Sequence, residues 1–283
     1  CFKNDLMPTV STFRECLICN NIGKSNNFKF SLHLKIDTGM SRLGFECNHF
    51  VQQFNKIKSL ENIALKGIYS HLACADEKNA LNPKSSTQLQ REKFQELLKI
   101  IDIDNTQNIK THLANSAGMI LGKDFHFDMV RVGLSMYGYD PLVKINENLI
   151  LQPALFLKAK VTFVRTIEKG IGVSYGNKFV SDRKTKLAVL SIGYADGIIR
   201  NLSGKISLIH NKKLYPQVGS ITMDQMMVDI TDSNDIEVGS TMLLLGSEGD
   251  KSISPIDWAD KCNSIPWEIL CSFKNRLPRV QVD

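Results

Sequence analysis

An arginine just past the end of a strand-like run is placed to grip an anion. Phe30–Ile36 reads as a strand, Asp37-Thr38-Gly39 is the turn signal that ends it, and Arg42 follows. A guanidinium there presents a planar fork that fits a carboxylate or a phenolic oxygen. Lys35, inside the same run, reads by itself as a structural ion-pair partner. His71 closes the next strand-like run and taken singly is a satisfied core histidine. Asn115-Ser116 stands at a helix start after a third run, where a hydroxyl and free backbone N–H groups can hold phosphate. Arg131-Val132-Gly133-Leu134 offers a further cation and further backbone donors. Tyr175 sits between small residues in Ser174-Tyr175-Gly176; an isolated exposed tyrosine is most often structural, with an ordinary pKa near 10.

The elements that must position these groups follow from periodicity. In the first half, strand-like runs (Phe30–Ile36, Leu65–Leu72, Ile109–Leu113) alternate with helical patterns. One helical face carries Phe50, Val51, Phe54 and Ile57; a longer amphipathic helix over Ser85–Ile101 turns Leu89, Phe94, Leu97, Leu98 and Ile101 inward. Met129–Val132 and Leu134–Tyr137 continue the series. Strand–helix–strand order at this spacing implies parallel strands, in an open sheet or a (β/α) barrel, with ligands at the carboxyl ends of the strands. After about Leu151 long helices give way to short β-rich runs: Leu155–Ile167, Leu187–Ile192, Ile206–Ile209, Met226–Ile230 and Thr241–Leu245. Short helices are expected near Pro255–Lys261 and Trp267–Lys274. The division is therefore 1–150, α/β, and 151–283, mostly β.

Composition narrows the function classes. The 283 residues are 43% hydrophobic, enough to bury more than one ordinary core. The net charge of +6 is scattered, with the densest groups at Lys184–Lys186 and Lys212–Lys213, too small for a nucleic-acid stripe. The seven cysteines have no framework spacing, and the lone Cys16-x-x-Cys19 lacks two further zinc ligands, so reduced thiols and a reducing compartment are expected. No apolar run is long enough for a membrane span, and no metal site is expected.

Taken in order, the motifs resemble those of alanine racemases. Lys35-Ile36-Asp37-Thr38-Gly39-Met40-Ser41-Arg42-Leu43-Gly44 matches the family's Lys-x-Asp-Thr-Gly-Met-x-Arg-x-Gly segment. Ser70-His71-Leu72-Ala73, His112-Leu113-Ala114-Asn115-Ser116, Val130-Arg131-Val132-Gly133 through Tyr137-Gly138, Val173-Ser174-Tyr175-Gly176, Gly193–Gly197 with Arg200, Val218-Gly219 through Met223-Asp224-Gln225, and Arg276-Leu277-Pro278-Arg279-Val280 follow in the family's sequence. The resemblance spans the chain from Asp5 onward.

It implies an incomplete (β/α)8 TIM-type barrel followed by a mostly β C-terminal domain, and a pyridoxal 5'-phosphate enzyme that interconverts L- and D-alanine for peptidoglycan in the cytoplasm. Residue by residue, Arg42 would meet the substrate carboxylate and the cofactor's phenolic oxygen, with a carbamylated Lys35 holding it. Asn115, Ser116, Gly133 and Leu134 would form the phosphate cup. Arg131 would face the pyridine nitrogen and leave it unprotonated, weakening the electron sink and suppressing side reactions. Tyr175 would be one of two bases, working with His71 and Arg131 across a homodimer interface, and Met223 and Asp224 would lie against substrate.

Two departures stand out. The family's second base is the cofactor lysine, in a Lys-x-x-x-Tyr-Gly-His-Gly type motif that does not occur here. The expectation is that about 100 further residues, including the first two barrel strands, belong before Cys1, and that the chain alone is poorly stable and inactive. The other is Trp267, where the family usually has a tyrosine on the cofactor phosphate; an indole donates one N–H and accepts nothing. Two other functions fit the same motifs: a racemase of another small amino acid such as serine, and a non-catalytic protein that binds a phosphate ligand.

Overall fold

The computed structural model describes residues 1–103, 108–142 and 149–281. The chain forms two compact units, Cys1–Gln152 and Pro153–Asp283.

In the first unit, short β1 (Thr9–Val10) leads into α1 (Phe13–Ser25). The helix starts where it does because Thr12 and Glu15 form a capping box: the Thr12 hydroxyl accepts from the Glu15 N–H, and the Glu15 carboxylate accepts from the Thr12 N–H. β2 (Phe30–Asp37), β3 (Phe45–Glu46), α2 (Cys47–Lys58), β4 (Ile63–Tyr69), α3 (Ser86–Ile100), β5 (Lys110–His112) and α4 (Ser116–Leu121) follow. The strands run parallel in the order β1-β2-β4-β5, with β3 beside the end of β2. This is the expected incomplete (β/α) barrel.

Strand alternation separates two jobs. Leu32, Leu34 and Ile36 of β2 are fully buried against Phe50, Phe54 and Ile57 of α2 and Phe94 of α3. The other face of β2 carries Ser31, His33, Lys35 and Asp37. Register places Lys35 beside Tyr69 of β4, and Tyr69 beside His112 of β5.

Two sequence expectations need correction. Leu89 is 46% exposed rather than inward, because the buried stripe of α3 runs through Thr87, Gln90, Phe94, Leu97 and Leu98. Met129–Val132 is not a strand, and Leu134–Tyr137 is a single 3-10 turn. The former segment bonds to the β5 region through Asp128 N–H to Thr111 O and Arg131 N–H to Ala114 O.

The second unit holds β6 (Leu157–Ile167), the small hairpin β7 (Gly172–Val173) and β8 (Phe179–Val180), β9 (Thr185–Leu190), β10 (Ser207–His210), β11 (Lys213–Val218), β12 (Met226–Asp229), β13 (Thr241–Glu248) and β14 (Lys251–Ile253), then α5 (Pro255–Cys262) and α6 (Pro266–Ser272). The main sheet is antiparallel in the order β10-β11-β12-β9-β6-β13-β14. β10 also pairs with β13, so six strands close into a ring. Its interior packs Leu190, Leu208, Met226, Val228 and Leu244 with Trp258 of α5.

Candidate active site

In the first unit the motif residues meet at the carboxyl ends of β2, β4 and β5. The loop after β2 is wound around Asp37, whose carboxylate accepts from the N–H groups of Gly39, Met40 and Ser41 at 2.9, 3.0 and 3.0 Å. Ser41 takes a left-handed φ of 55°, and Gly44, at φ 133°, passes so close to β2 that a side chain would strike the Asp37 backbone. These constraints explain an Asp-Thr-Gly-Met-Ser-Arg-Leu-Gly stretch physically: the aspartate nucleates the turn, Gly44 lets it close, and Arg42 is left exposed on it.

The loops are locked from behind by Gln90, buried on α3. Its amide donates to His71 O at 2.9 Å and to the Thr38 hydroxyl at 3.3 Å, and its carbonyl accepts from Ala73 N–H at 2.9 Å. Ser70 adds a bridge, with its hydroxyl 2.8 Å from that of Thr38 and from Ile36 O. Gln90 thus joins the strand ends that bear Arg42 and His71. Its only signal in the sequence is its place on the buried stripe of an amphipathic helix.

Arg131 is the hub. Nη1 donates to His112 Nδ1 at 2.7 Å; Nη2 donates to Ser70 O at 2.8 Å, His71 Nδ1 at 3.1 Å and Leu113 O at 3.2 Å. The guanidinium carbon stands 4.7 Å from the centre of the Tyr69 ring, a cation–π contact, and Tyr69 stacks on His112. A guanidinium has no acceptor, so both imidazoles must accept at Nδ1 and carry their proton on Nε2. His112 then donates to His33 Nδ1 at 2.9 Å. The tautomers are fixed from one end of the chain to the other. Burial, then the Arg131 charge, pushes His71 down to about 4 and His112 down to about 3, so both are neutral near pH 7. His33 is lowered for the same reasons. Arg131 itself is lowered by burial, with Tyr69 opposing. Gly67 of β4 makes room for the chain: a Cβ there would lie 2.4 Å from the His33 ring.

Lys35 is only 6% exposed and makes no hydrogen bond or ion pair among the described residues; its ammonium lies 5.9 Å from the Tyr69 ring centre. Burial, then Arg42 and Arg131, depress its pKa, against a smaller opposing effect of Asp37. Burial among cations disfavours the charged form of this amine.

Below Arg131, the N–H groups of Gly133 and Ser135 converge on the Ser116 hydroxyl at 2.9 and 3.4 Å. Leu134 between them is buried. These N–H groups are engaged by the hydroxyl, and an oxyanion bound there would compete with it for them. Asn115 is structural here, since its side-chain oxygen caps α4 by accepting from Gly118 N–H at 2.9 Å.

In the second unit, Tyr175 is 70% exposed on a turn after β7. Ser174, Gly176 and Asn177 all have positive φ there. Two serines pin the turn, with Ser174 Oγ donating to Ser220 O at 2.8 Å and Ser220 Oγ donating to Tyr175 O at 2.9 Å. Met223 and Asp224 lie on an exposed turn before β12, and Trp267 is in the first turn of α6.

Comparison with known proteins decides what these groups belong to. The "Alanine racemase, N-terminal domain" family matches residues 1–141, and "Alanine racemase, C-terminal domain" matches 154–281. This chain is a member of the alanine racemase family. It is 51% identical over 282 residues to the alanine racemase of Prochlorococcus marinus, covering 100% of this chain and 73% of that protein. To the alanine racemase of Synechocystis it is 41% identical, over 98% of this chain and 73% of the relative. Among solved structures, the alanine racemase of Bacillus anthracis with bound L-Ala-P superposes with a TM-score of 0.88 at 30% identity, over 99% of this chain and 72% of that one. The alanine racemase of Bartonella henselae with covalently bound pyridoxal phosphate gives 0.85 at 32% identity, over 99% and 74%. His33, Tyr69, Gln90 and the part played by His112 are not visible in the motifs, since they emerge only once strand register is known.

Proposed function

We propose that this chain carries the substrate-binding, phosphate-binding and one-base half of an L-alanine/D-alanine racemase that uses pyridoxal 5'-phosphate. The observation that carries this reading is the hydrogen-bond chain His33–His112–Arg131–His71 beside the Ser116 donor cup. It holds a cation and a set of anion donors at one end of the parallel sheet.

The residues fit the cofactor. The Arg131 Nε–H makes no hydrogen bond among the described residues, whereas both terminal nitrogens are engaged, so one directed donor is free for a ring nitrogen. A guanidinium cannot be deprotonated near pH 7, so it leaves that nitrogen without a proton. Ser116, Gly133 and Leu134 would hold the phosphate, with Asn115 fixing the helix start beneath it. Pyridoxal phosphate, when bound, supplies the electron sink that lets the α-hydrogen leave as a proton. Arg42 would orient the substrate carboxylate, and a carbamylated Lys35 would restore charge balance beside it and hold it in place. With Nδ1 committed to Arg131, His71 has a proton only on Nε2 to offer; that donor would steady the Tyr175 oxygen, supplied across a homodimer interface, as it takes and returns the α-proton. Met223 and Asp224 would border the substrate, and Trp267 would line the cofactor pocket. The setting is cytoplasmic, with the product serving cell-wall synthesis.

The cofactor lysine motif does not occur in these 283 residues, so the test uses the chain joined to a segment that carries that motif. D-alanine should form from L-alanine, and Tyr175→Phe should lower the rate by about 10²-fold or more in at least one direction. Full activity of Tyr175→Phe both ways would sink the two-base assignment, and a preference for L-serine would move the substrate. The 283 residues alone are expected to retain no cofactor after borohydride reduction.

A further inference from the structure

One charged network in the second unit reaches the proposed substrate border at Asp224 but centres on Arg276, which has no role in the proposed chemistry. Arg276 lies just past α6 and faces two carboxylates from different loops. Its Nη2 donates to Asp224 Oδ1 at 2.6 Å, and its Nε stands 3.4 Å from Asp196 Oδ1. Asp196 is buried, and its other oxygen accepts from Gly193 N–H at 2.9 Å. The carboxylates hold Arg276 firmly cationic: its pKa is raised, by the Asp224 hydrogen bond first and Asp196 second.

The two loops also touch through their backbones. Tyr194 N–H donates to Thr222 O and Ala195 N–H to Met223 O, each at 3.0 Å. This approach requires Gly193, where a Cβ would meet Thr222 O at 2.3 Å and Met223 O at 2.4 Å. The Gly193–Gly197 turn is in turn seated on the end of α6: Ser272 Oγ donates to Gly197 O at 2.7 Å, and a Cβ at Gly197 would lie 2.4 Å from Ser272 O. So the turn of Met223, the turn of Tyr194 and the tail of the helix bearing Trp267 form one block, and Arg276 is the side chain that spans all three. Half-exposed pairs of this kind add little to overall stability. Their geometric effect is local: Met223 is 53% exposed, its turn is held through backbone by Tyr194, Ala195 and the Thr222–Gln225 hydrogen bonds, and Arg276 adds the side-chain tie at Asp224.

We propose that Arg276 is a positioning residue for substrate recognition: it ties the Met223–Asp224 turn to the Gly193–Gly197 turn and so fixes the backbone presented to the amino-acid substrate. The proposal rests on the racemase reading for what Met223 faces, but not for the clamp itself.

The test combines methionine-methyl NMR on the 283-residue chain with steady-state kinetics on the lysine-completed enzyme. Arg276→Ala should shift and sharpen the Met223 methyl signal, with the melting temperature nearly unchanged. Arg276→Lys, a point charge that can face one carboxylate well, should fall between Arg276→Ala and the unaltered chain. Asp224→Asn should reproduce Arg276→Ala, and the double variant should go no further, the mark of one shared interaction. In the completed enzyme, Arg276→Ala should raise KM for alanine about tenfold and leave kcat within about twofold, as loss of uniform substrate binding requires. An unmoved Met223 signal in Arg276→Ala overturns the proposal, and so does a moved signal with unchanged KM. If the completed enzyme does not racemise alanine, the racemase reading fails, and the Met223 signal alone decides the clamp.

Discussion

The two units hold their central arginines by opposite means. In the first, Arg131 is half-buried and its directions are set by neutral acceptors: two imidazoles, two carbonyls and an aromatic face. In the second, Arg276 is half-exposed and paired with full carboxylates, while Tyr175 projects from a turn pinned by serine hydroxyls. A buried cation beside a carboxylate would lose its pull on outside anions; neutral partners orient the guanidinium and leave its charge available to a ligand. An exposed cation is screened in any case, so pairing it costs little and fixes a loop. The partner's charge, more than the arginine, tells whether the site is aimed at a ligand or at its own backbone.

The largest effect should come from Arg131→Ala. It strips donors from two imidazoles and two carbonyls at once, and on the order of 3 kcal/mol of stability should go, measured by urea unfolding of the first unit. A loss below about 1 kcal/mol would mean that water replaces the guanidinium freely, and that the contrast with Arg276 is one of degree.

A mid-sized effect should appear with pH. His71 and His112 titrate at about 4 and about 3 in the folded chain, against 6.5 ordinarily. Between those values the unfolded chain binds more protons, so stability is complete above about pH 6.5 and falls as the solution is acidified towards pH 4 and below. Thermal unfolding followed from pH 7 to pH 4 should show this, and His112→Gln should flatten the dependence. A profile unchanged in His112→Gln would mean the imidazole chain is not what makes the unit acid-sensitive.

The smallest effect should be that of Tyr175→Phe on folding. With the side chain 70% exposed, stability should stay within about 0.5 kcal/mol. A larger loss would make the Tyr175 hydroxyl part of the turn's own framework and bring the second unit closer to the first.

Much of the site is legible in the sequence because it lies in contiguous strand-end segments: Asp37 to Arg42, Ser70-His71, Asn115-Ser116 and Arg131 to Leu134 each carry their own turn chemistry. What stays hidden depends on register. His33 looks like any of the polar residues alternating along the strand until Gly67 is seen across from it and His112 beyond. Gln90 is an ordinary helix residue until α3 packs behind two loops. The β-rich character of the second half is plain from its short apolar runs, but β11, with Pro216 inside it, is not, since proline interrupts the strand pattern. Helix α1 is hard to see because its apolar stripe is weak, although the Thr12-x-x-Glu15 box marks its start. Met129–Val132 satisfies the strand pattern as an apolar run beside β5, while its backbone makes too few bonds for a ladder.

The closed ring of β10, β11, β12, β9, β6 and β13 bears on motion as well as architecture. An open sheet frays from its edge strands inward, whereas a ring has no end from which to unzip. Amide protons within it should therefore exchange with solvent only when the whole unit opens, making it the slowest-breathing part of the molecule. The turns of Tyr194 and Met223 are rooted in that slow frame, so any movement they make must come from the turns themselves, on a timescale set apart from that of the strands below.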